Sequence, residues 1–186
     1  MVNSGSSANL LALKVVNFKK GSEIIVPCLN FGTAISSITL SDLVPIFVDC
    51  EIDTLQIDVK KIEKKITKKT KAIMPVHLTG RVSEMDEILR ISKKYGIPIV
   101  EDAAQSISSK YRGKKSGSFG EVGCFSAHPL KNLNACGDGG FLTTNNFSMY
   151  KKALSFRNHG LVDRNIVKKF GFLSRMDVIQ ASILNY

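Results

Sequence analysis

Lys131 is the first residue of chemical interest, because it lies in a short loop directly after an apolar segment. That segment, residues 123–126, ends at Ser126, and Pro129 stiffens the turn that leads to the lysine. Most lysines are solvated surface charges, but a lysine beside a strand end can form a Schiff base when its amine is free and its pKa is lowered. Ser126 offers a hydroxyl for phosphate. The loop is therefore either an ordinary surface loop or a site that combines imine formation with phosphate binding.

Asp102 ends a second apolar segment, residues 97–102, and is followed by the polar sequence that contains Gln105. An acidic residue in this place could simply cap the next helix. It could equally hold a protonated ring nitrogen, since a carboxylate in surroundings of low dielectric constant strongly favours a neighbouring cation.

Two small-residue turns lie beside other predicted elements. Residues 4–7, Ser-Gly-Ser-Ser, open a helix, where backbone N–H groups and the helix dipole attract anions. Such turns often serve only as helix caps. Residues 137–140, Gly-Asp-Gly-Gly, are either a plain turn before a strand or a backbone kept slim so that a planar cofactor can approach.

Each of these four segments is ambiguous by itself, but their combination is informative. Ligands of open α/β sheets bind outside the carboxyl ends of the strands, which is where all four segments are expected. Together they supply an anion-binding turn, a carboxylate for a ring nitrogen and an amine for an imine. This is the set of groups that pyridoxal phosphate requires.

The elements that must position these groups alternate along the whole chain. Apolar strands are predicted at residues 23–27, 44–49, 72–77, 97–102, 123–126 and 140–144. Helices are predicted at residues 10–18, 33–40, 59–66, 83–95, 148–156 and 177–184, and Gly96 is expected to end the fourth of them. Strands that are apolar on both faces and alternate with helices predict a three-layer α/β/α domain with a mostly parallel central sheet.

The composition is that of a globular protein. With 186 residues, 44% hydrophobic and 23% charged, the chain can bury a sizeable core, which excludes a disordered, collagen-like or coiled-coil protein. The formal net charge of +10 requires anionic partners to be considered. Seven lysines between residues 60 and 71 carry much of it, and we expect them to form a solvated helix face. A nucleic-acid surface is disfavoured because no aromatic residues interleave with them.

The cysteines and the hydropathy pattern bear on the compartment. Cys28, Cys50, Cys124 and Cys136 are widely spread without a CxxC pair, so no metal site is expected. Three of them lie in or beside apolar strands, where a reduced, buried thiol is the ordinary case, and we predict a reducing, cytoplasmic location. No apolar stretch approaches the roughly 20 residues of a membrane span, and no signal peptide is visible.

Eight ordered segments resemble the DegT/StrS-type nucleotide-sugar aminotransferases, which are fold-type I pyridoxal-phosphate enzymes. They are NSGSSA at residues 3–8, VPCLNF at 26–31, PIFVD at 45–49, PVHLTG at 75–80, EDAAQS at 101–106, FSAHPLKNL at 125–133, GDGG at 137–140 and RNHG at 157–160. The resemblance covers nearly the whole chain. It implies that residues 1–186 are a large cofactor-binding domain, truncated at both ends and without the smaller C-terminal domain of the family.

The resemblance also implies roles for individual residues. Lys131 would form the internal aldimine and Asp102 would pair with the pyridinium nitrogen. The other cofactor contacts would be Gln105 to the phenolic oxygen, Phe31 stacked on the ring face, and Ser6, Ser7 and Ser126 on the phosphate. Phe31 could equally be a core residue. A place in the substrate pocket is expected for His77, His128, His159 and Arg175, and each histidine could instead be structural.

The implied reaction is a two-stage transamination. Glutamate would give its amino group to the cofactor, with Lys131 moving the proton between the donor's Cα and the cofactor's C4′. Pyridoxamine phosphate would then aminate a keto group on a nucleotide-linked sugar. The full-length family members are expected to be homodimers, without nucleic-acid or membrane partners.

The sequence departs from the pattern of the aminotransferases in two places, and each leaves an alternative function open. The opening residues 2–10 resemble those of sugar dehydratases of the same superfamily, but these carry histidine where Lys131 stands, and histidine lacks the primary amine that an imine needs. Leu173 occupies the position where many members have an asparagine that reaches the partner subunit's phosphate, and Arg175 could substitute for it. The alternatives are thus a dehydratase relative or a catalytically inactive cofactor-binding fragment.

Overall fold

The computed structural model describes all of residues 1–186. Its helices are α1 (Gly5–Val16), α2 (Thr33–Thr39), α3 (Val59–Ile62), α4 (Met85–Tyr95), α5 (Phe147–Phe156) and α6 (Val178–Leu184). Its strands are β1 (Glu23–Pro27), β2 (Val44–Val48), β3 (Thr70–Ile73), β4 (Val100–Asp102), β5 (Lys110–Tyr111), β6 (Lys114–Lys115), β7 (Val122–Ser126), β8 (Gly140–Thr143), β9 (Leu161–Asp163) and β10 (Ile166–Val167). No helix is both long enough and apolar enough to cross a membrane.

Six of the strands form one mostly parallel sheet, as predicted. Strand β1 pairs in parallel with β2 and β3, while β7 pairs in parallel with β4 and antiparallel with β8. Parallel bridges from Ile73 to Ile99 and from Val76 to Asp102 join the two halves. The resulting order is β2-β1-β3-β4-β7-β8, so the carboxyl ends of β1, β3, β4 and β7 meet at one edge.

Helices cover both faces of this sheet, which confirms the three-layer α/β/α prediction. Along β1, Ile24 and Val26 are buried with Leu13 of α1 and Ile38 of α2. Ile25 points to the other face, where it belongs to a cluster with Ile62, Ile88 and Ile91 from α3 and α4. Successive residues of a strand point to opposite faces, so a strand covered on both sides must be apolar throughout. Near β4 and β7, α1 packs over a third cluster.

Helix α1 begins at Gly5, within residues 4–7 that were predicted to open a helix and before the apolar spacing that starts at residue 10. Ser4 is its N-cap, and the Ser4 hydroxyl accepts a hydrogen bond of 3.1 Å from the backbone N–H of Ser7. At the other end, Asn17 adopts a left-handed conformation with φ of 66°, which ends the helix before Gly21. The small residues at 5–7 therefore form the first helical turn, and this places the positive end of the helix dipole at the carboxyl edge of the sheet.

Three predicted elements are clearly shorter than expected, and one of them is the strand predicted at residues 97–102, which spans only Val100–Asp102. The strand predicted at residues 72–77 has its ladder only up to Ile73, because Pro75 has no N–H to donate; Val76 rejoins the sheet through a single bridge to Asp102. The helix predicted at residues 59–66 is α-helical only to Ile62 and continues as a 3₁₀ turn, Glu63–Lys65.

The basic cluster is exposed to solvent as predicted, but it is not a helix face, because only Lys60 and Lys61 lie in α3. All of its lysines are exposed: Lys60, Lys61, Lys64, Lys65, Lys68, Lys69 and Lys71. Lys61 forms ion pairs with Asp49 and Asp58, so part of the positive charge is compensated locally.

The hairpins β5–β6 and β9–β10 were not predicted, because both consist of short strands without apolar alternation.

The expectation of buried cysteines was wrong for two of the three thiols concerned. Cys124 lies within β7 and is buried, whereas Cys28 is exposed and Cys50 is half-buried, since each follows the end of a strand.

Candidate active site

A cavity of about 220 Å³ lies where the carboxyl ends of β1, β3, β4 and β7 meet the first turn of α1. Its walls come from the ends of β4 and β7, the first turns of α1 and α2, and the segments that follow β1, β3, β4 and β7. The lining residues are Ser4, Gly5, Ser6, Phe31, Thr33, Val76, Asp102, Ala104, Gln105, Ser126, His128, Leu130, Lys131 and Asp138. This position is the one at which open α/β sheets bind ligands.

Gly5 allows α1 to approach the end of β7. A Cβ atom at this position would lie only 2.7 Å from Cβ of Ser126, which is closer than real side chains pack. Ser6 and Ser126 consequently face the same cavity as the N-terminus of α1. Ser7 does not line it, because its hydroxyl lies 3.0 Å from the Ser4 hydroxyl and bonds to that group.

Asp102 ends β4 and is buried, with its carboxylate at the floor of the cavity. Oδ2 accepts a hydrogen bond of 2.8 Å from the side-chain amide of Asn9, and Oδ1 accepts one of 3.1 Å from the backbone N–H of Ala104. Burial raises the pKa of this carboxyl, whereas these hydrogen bonds and the nearby His77 and Lys131 act in the opposite direction. A cation beside the carboxylate would relieve the cost of its burial.

Lys131 lines the same cavity as Asp102, on a loop that is held by short hydrogen bonds. The backbone N–H of Lys131 donates to the carbonyl of His128 at 2.8 Å. The backbone N–H of His128 in turn donates to the Ser126 hydroxyl at 3.3 Å, and Nδ1 of His128 accepts from the backbone N–H of Leu130. The loop between Ser126 and Lys131 is thus a fixed turn that brings the amine back over the sheet edge.

Phe31 and Gln105 both form part of the cavity wall. Phe31 is 72% exposed, so it is not a core residue, and its ring is free to contact a ligand. Oε1 of Gln105 accepts a hydrogen bond of 2.8 Å from the backbone N–H of Thr79, which fixes the orientation of its side chain. Gln105 and Lys131 also line a second, polar cavity together with Thr79, Ser109 and Asn132.

His77 does not line the cavity. Its ring is completely buried, where Nδ1 accepts from the backbone N–H of Ser83 at 3.2 Å and Nε2 lies 3.1 Å from Oε2 of Glu101. Glu101 also accepts backbone hydrogen bonds from Gly117, Phe119 and Gly120. The structural alternative for His77 is therefore the one that fits.

His159 and Arg175 also lie outside the cavity. Both side chains are exposed, and His159 sits at a left-handed turn with φ of 59°. Of the four residues expected in the substrate pocket, the structure places only His128 at the cavity wall.

Sequence reasoning missed Asn9 and Thr33, and it named Asp138 only as part of the turn at residues 137–140. Asn9 carried a detectable signal, because it is a polar residue on the apolar stripe of α1 that includes Ala12 and Leu13, and a buried amide requires a partner. Thr33 carried no such signal, since it is the first residue of α2, where a polar residue is ordinary.

The fold is that of an α/β protein with a cavity at the carboxyl edge of a mostly parallel sheet, and a carboxylate and a primary amine line that cavity. The model of the DegT/DnrJ/EryC1/StrS aminotransferase family matches residues 1–186. This chain therefore belongs to the DegT/DnrJ/EryC1/StrS aminotransferase family.

Individual relatives agree with this assignment. The chain is 40% identical over 184 residues to the GDP-perosamine synthase of Caulobacter vibrioides, covering 97% of this chain and 49% of the relative. It is 37% identical over 184 residues to the 3-oxo-glucose-6-phosphate:glutamate aminotransferase of Bacillus subtilis, covering 97% and 41%. The crystal structure of NtdA from Bacillus subtilis with bound cofactor PMP superimposes with a TM-score of 0.92 at 36% identity, covering 98% and 42%. The chain thus spans half or less of the length of these proteins.

Proposed function

We propose that this chain is the cofactor-binding part of a pyridoxal-phosphate-dependent aminotransferase that transfers an amino group from glutamate to the keto group of a nucleotide-linked sugar. The observation that carries the proposal is that Asp102 and Lys131, from separate segments, line one cavity. A buried carboxylate opposite a primary amine is the arrangement that this cofactor requires.

The groups around the cavity fit the cofactor part by part. The N-terminus of α1 with Ser6 and Ser126 would hold the phosphate, and the close approach that Gly5 permits keeps this region free of side chains. Asp102 would hold the ring nitrogen, which explains why a carboxylate is kept in a place where burial raises its pKa. Gln105 would bind the phenolic oxygen, and the exposed ring of Phe31 would cover one ring face.

Bound pyridoxal phosphate would supply an electron-withdrawing ring that stabilises negative charge on the amino donor's Cα. The residues of the chain would supply attachment, orientation and proton transfer. Lys131 would hold the cofactor covalently and, once displaced, its Nζ would move a proton between the donor's Cα and the cofactor's C4′. Asp102 would keep a proton on the ring nitrogen throughout.

The assignment of the substrate rests on the relatives and on the second cavity. One relative is named as a GDP-perosamine synthase and another as a 3-oxo-glucose-6-phosphate:glutamate aminotransferase. The polar cavity beside Lys131, with the side chains of Thr79, Ser109 and Asn132, offers hydrogen-bonding groups that suit a sugar's hydroxyls. His128 is the remaining histidine at the cavity wall. A homodimeric full-length protein and a cytoplasmic location stay predictions.

The attachment site is tested by incubating the protein with a stoichiometric amount of pyridoxal phosphate, reducing with borohydride and mapping the labelled peptides. We expect the label on Lys131 and its loss in Lys131→Ala, whereas Lys114→Ala, which removes an exposed lysine outside both cavities, retains it. Label spread evenly over surface lysines in the wild-type protein would contradict the proposal.

A second measurement separates transamination from simple cofactor binding. Addition of glutamate should change the absorbance of the bound cofactor and leave Lys131 unlabelled upon reduction. A labelled Lys131 that glutamate does not release would instead support the inactive cofactor-binding fragment.

A further inference from the structure

Cys28 and Cys50 are brought together by the pairing of β1 with β2. The two strands run parallel with Pro27 opposite Val48, and the backbone N–H of Cys28 donates to the carbonyl of Val48 at 2.8 Å. Cys28 is the first residue after β1, and Cys50 is the second after β2. Residues separated by 21 others in the sequence therefore lie side by side at one edge of the sheet.

Asp49 fixes the relation between the two cysteines. Its Oδ1 lies 3.8 Å from Sγ of Cys28 and accepts a hydrogen bond of 2.9 Å from the backbone N–H of Cys50. Both thiols are free, and the Cys28 thiol is close enough to Cys50 to contribute to the raised pKa of the Cys50 thiol. One oxygen of Asp49 therefore contacts both the thiol of Cys28 and the backbone of Cys50, which keeps the two cysteines side by side.

The two thiols differ in access to solvent. Cys28 is exposed, so a small reagent can reach it, while Cys50 is half-buried. Burial is the main cause that raises the pKa of Cys50, and the neighbouring Cys28 adds to it. Thiolate is the reactive form of cysteine, so the exposed thiol is the one that meets an oxidant first, and the shielded thiol reacts second.

We propose that Cys28 and Cys50 are a site of reversible disulfide formation that responds to small disulfide oxidants of the glutathione type. The Cys28 thiolate attacks oxidised glutathione, forms a mixed disulfide and releases one reduced glutathione. The Cys50 thiolate then attacks the Cys28 sulfur of that mixed disulfide and releases the second. The two cysteines lose two protons and two electrons in total, and one glutathione disulfide is reduced to two thiols.

A disulfide between Cys28 and Cys50 would restrain the segment that carries Phe31 to the cavity. Three residues separate Cys28 from Gly32, and within them Phe31 reaches the cavity wall. The segment is now held at its start by a hydrogen bond from the side chain of Asn30 to the carbonyl of Pro27. A disulfide would add a covalent restraint at the same point. The proposal does not depend on the aminotransferase function, because it uses no residue of that site.

The chain offers its own matched control. Cys136 is also exposed, in the loop before β8, but its side chain has no cysteine beside it among the contacts of the structure, and Cys124 is buried in β7. Digestion with trypsin and endoproteinase Asp-N separates all four cysteines: residues 21–41 carry Cys28 and residues 49–52 carry Cys50.

The test exposes the folded protein to oxidised glutathione, alkylates the remaining thiols, digests without reductant and identifies linked peptides by mass. We expect peptide 21–41 joined to peptide 49–52, about tenfold or more over any other pairing, because adjacent thiols have a high effective concentration. Dithiothreitol should reverse the link, and Cys136→Ser should leave it unchanged. In urea, where the fold is lost, the preference should disappear.

The variant Cys50→Ser provides a second test of the proposal. Without its partner, Cys28 should retain glutathione as a stable adduct, whereas the wild-type protein should release it. Equal adducts in the two proteins, or an alkylated Cys50 in oxidised wild-type protein, would overturn the proposal.

Discussion

The side-chain amide of Asn9 donates a hydrogen bond of 2.8 Å to Oδ2 of Asp102, and both side chains are buried. This contact ties α1 to the end of β4 and determines the direction of the carboxylate in the cavity. Oδ1 of Asn9 has no hydrogen-bond partner within the protein. The amide is therefore committed to Asp102 alone.

Replacement of Asn9 by leucine, which has a similar volume, should destabilise the cofactor-free protein. We expect a loss of about 1–3 kcal/mol in the free energy of unfolding, because a buried carboxylate oxygen loses its donor. In an Asp102→Leu background the same replacement should cost less than about 0.5 kcal/mol, since no carboxylate remains. Urea unfolding of the four proteins measures the difference, with Asn145→Leu as an exposed control. Equal costs in the two backgrounds would mean that the hydrogen bond contributes nothing.

Asp102 should make the stability of the cofactor-free protein depend on pH. Burial raises the pKa of its carboxyl above the unfolded value of about 3.9, so the folded state binds more protons between the two values. Stability due to this group is therefore present at low pH and is lost as the pH rises through that window.

Asp102→Asn removes this loss. We expect the variant to have a higher Tm than the wild-type protein at pH 7, by about 2–4 °C for each kcal/mol removed, and the two values to converge near pH 4. Thermal unfolding between pH 4 and pH 8 is the measurement, and the exposed Asp53→Asn serves as the control. A wild-type protein that is the more stable of the two at pH 7 would show that the carboxylate is well compensated.

Gly5→Ala should disturb the phosphate end of the cavity. The added Cβ would lie 2.7 Å from Cβ of Ser126, so α1 or β7 must move, at a cost of about 1–3 kcal/mol. If Ser6 and Ser126 hold the phosphate, affinity for pyridoxal phosphate should fall about tenfold or more, equivalent to at least about 1.4 kcal/mol. Fluorescence titration measures it. Gly32→Ala, where a Cβ would enter open space, should change the affinity little.

Glu101→Gln should destabilise the fold. The carboxylate accepts backbone hydrogen bonds of 2.7 Å from Phe119 and Gly120 and of 2.8 Å from Gly117, as well as the contact with His77. An amide keeps only one accepting oxygen, so at least one buried donor loses its partner, and we expect a loss of about 1.5–3 kcal/mol. Urea unfolding should find the exposed Glu121→Gln unchanged by comparison.

The sequence predicted the sheet best where local signals suffice. Strand β1 matches residues 23–27 at both ends, because its apolar residues are uninterrupted and both of its faces are covered. The third strand was predicted too long because the apolar pattern continues past Pro75, where the missing N–H stops the ladder. The start of α1 was predicted from the cap-type residues 4–7, whereas the hydrophobic spacing alone starts five residues after Gly5, because it does not extend to a small-residue first turn.

Some residues of the candidate site could likewise be predicted from the sequence, and others could not. Asp102, Ser126 and Lys131 follow apolar segments, and strand ends of a parallel sheet share one edge, so their meeting in one cavity could be predicted. The burial of His77 against Glu101 could not, because it depends on how the loop at residues 117–120 folds over β4. The exposed positions of His159 and Arg175 likewise depend on turns whose sequence carries no periodic signal.

The cavity draws its walls from strand ends and loops between Ser4 and Asp138. A molecule that occupies it touches most of the sheet at once, so its binding energy is shared by the whole fold rather than by one loop. By mass action, a ligand at a hundred times its Kd would stabilise the folded chain by about 2.7 kcal/mol. The melting temperature therefore reports occupancy directly, and small molecules can be screened against this chain before any reaction is assayed.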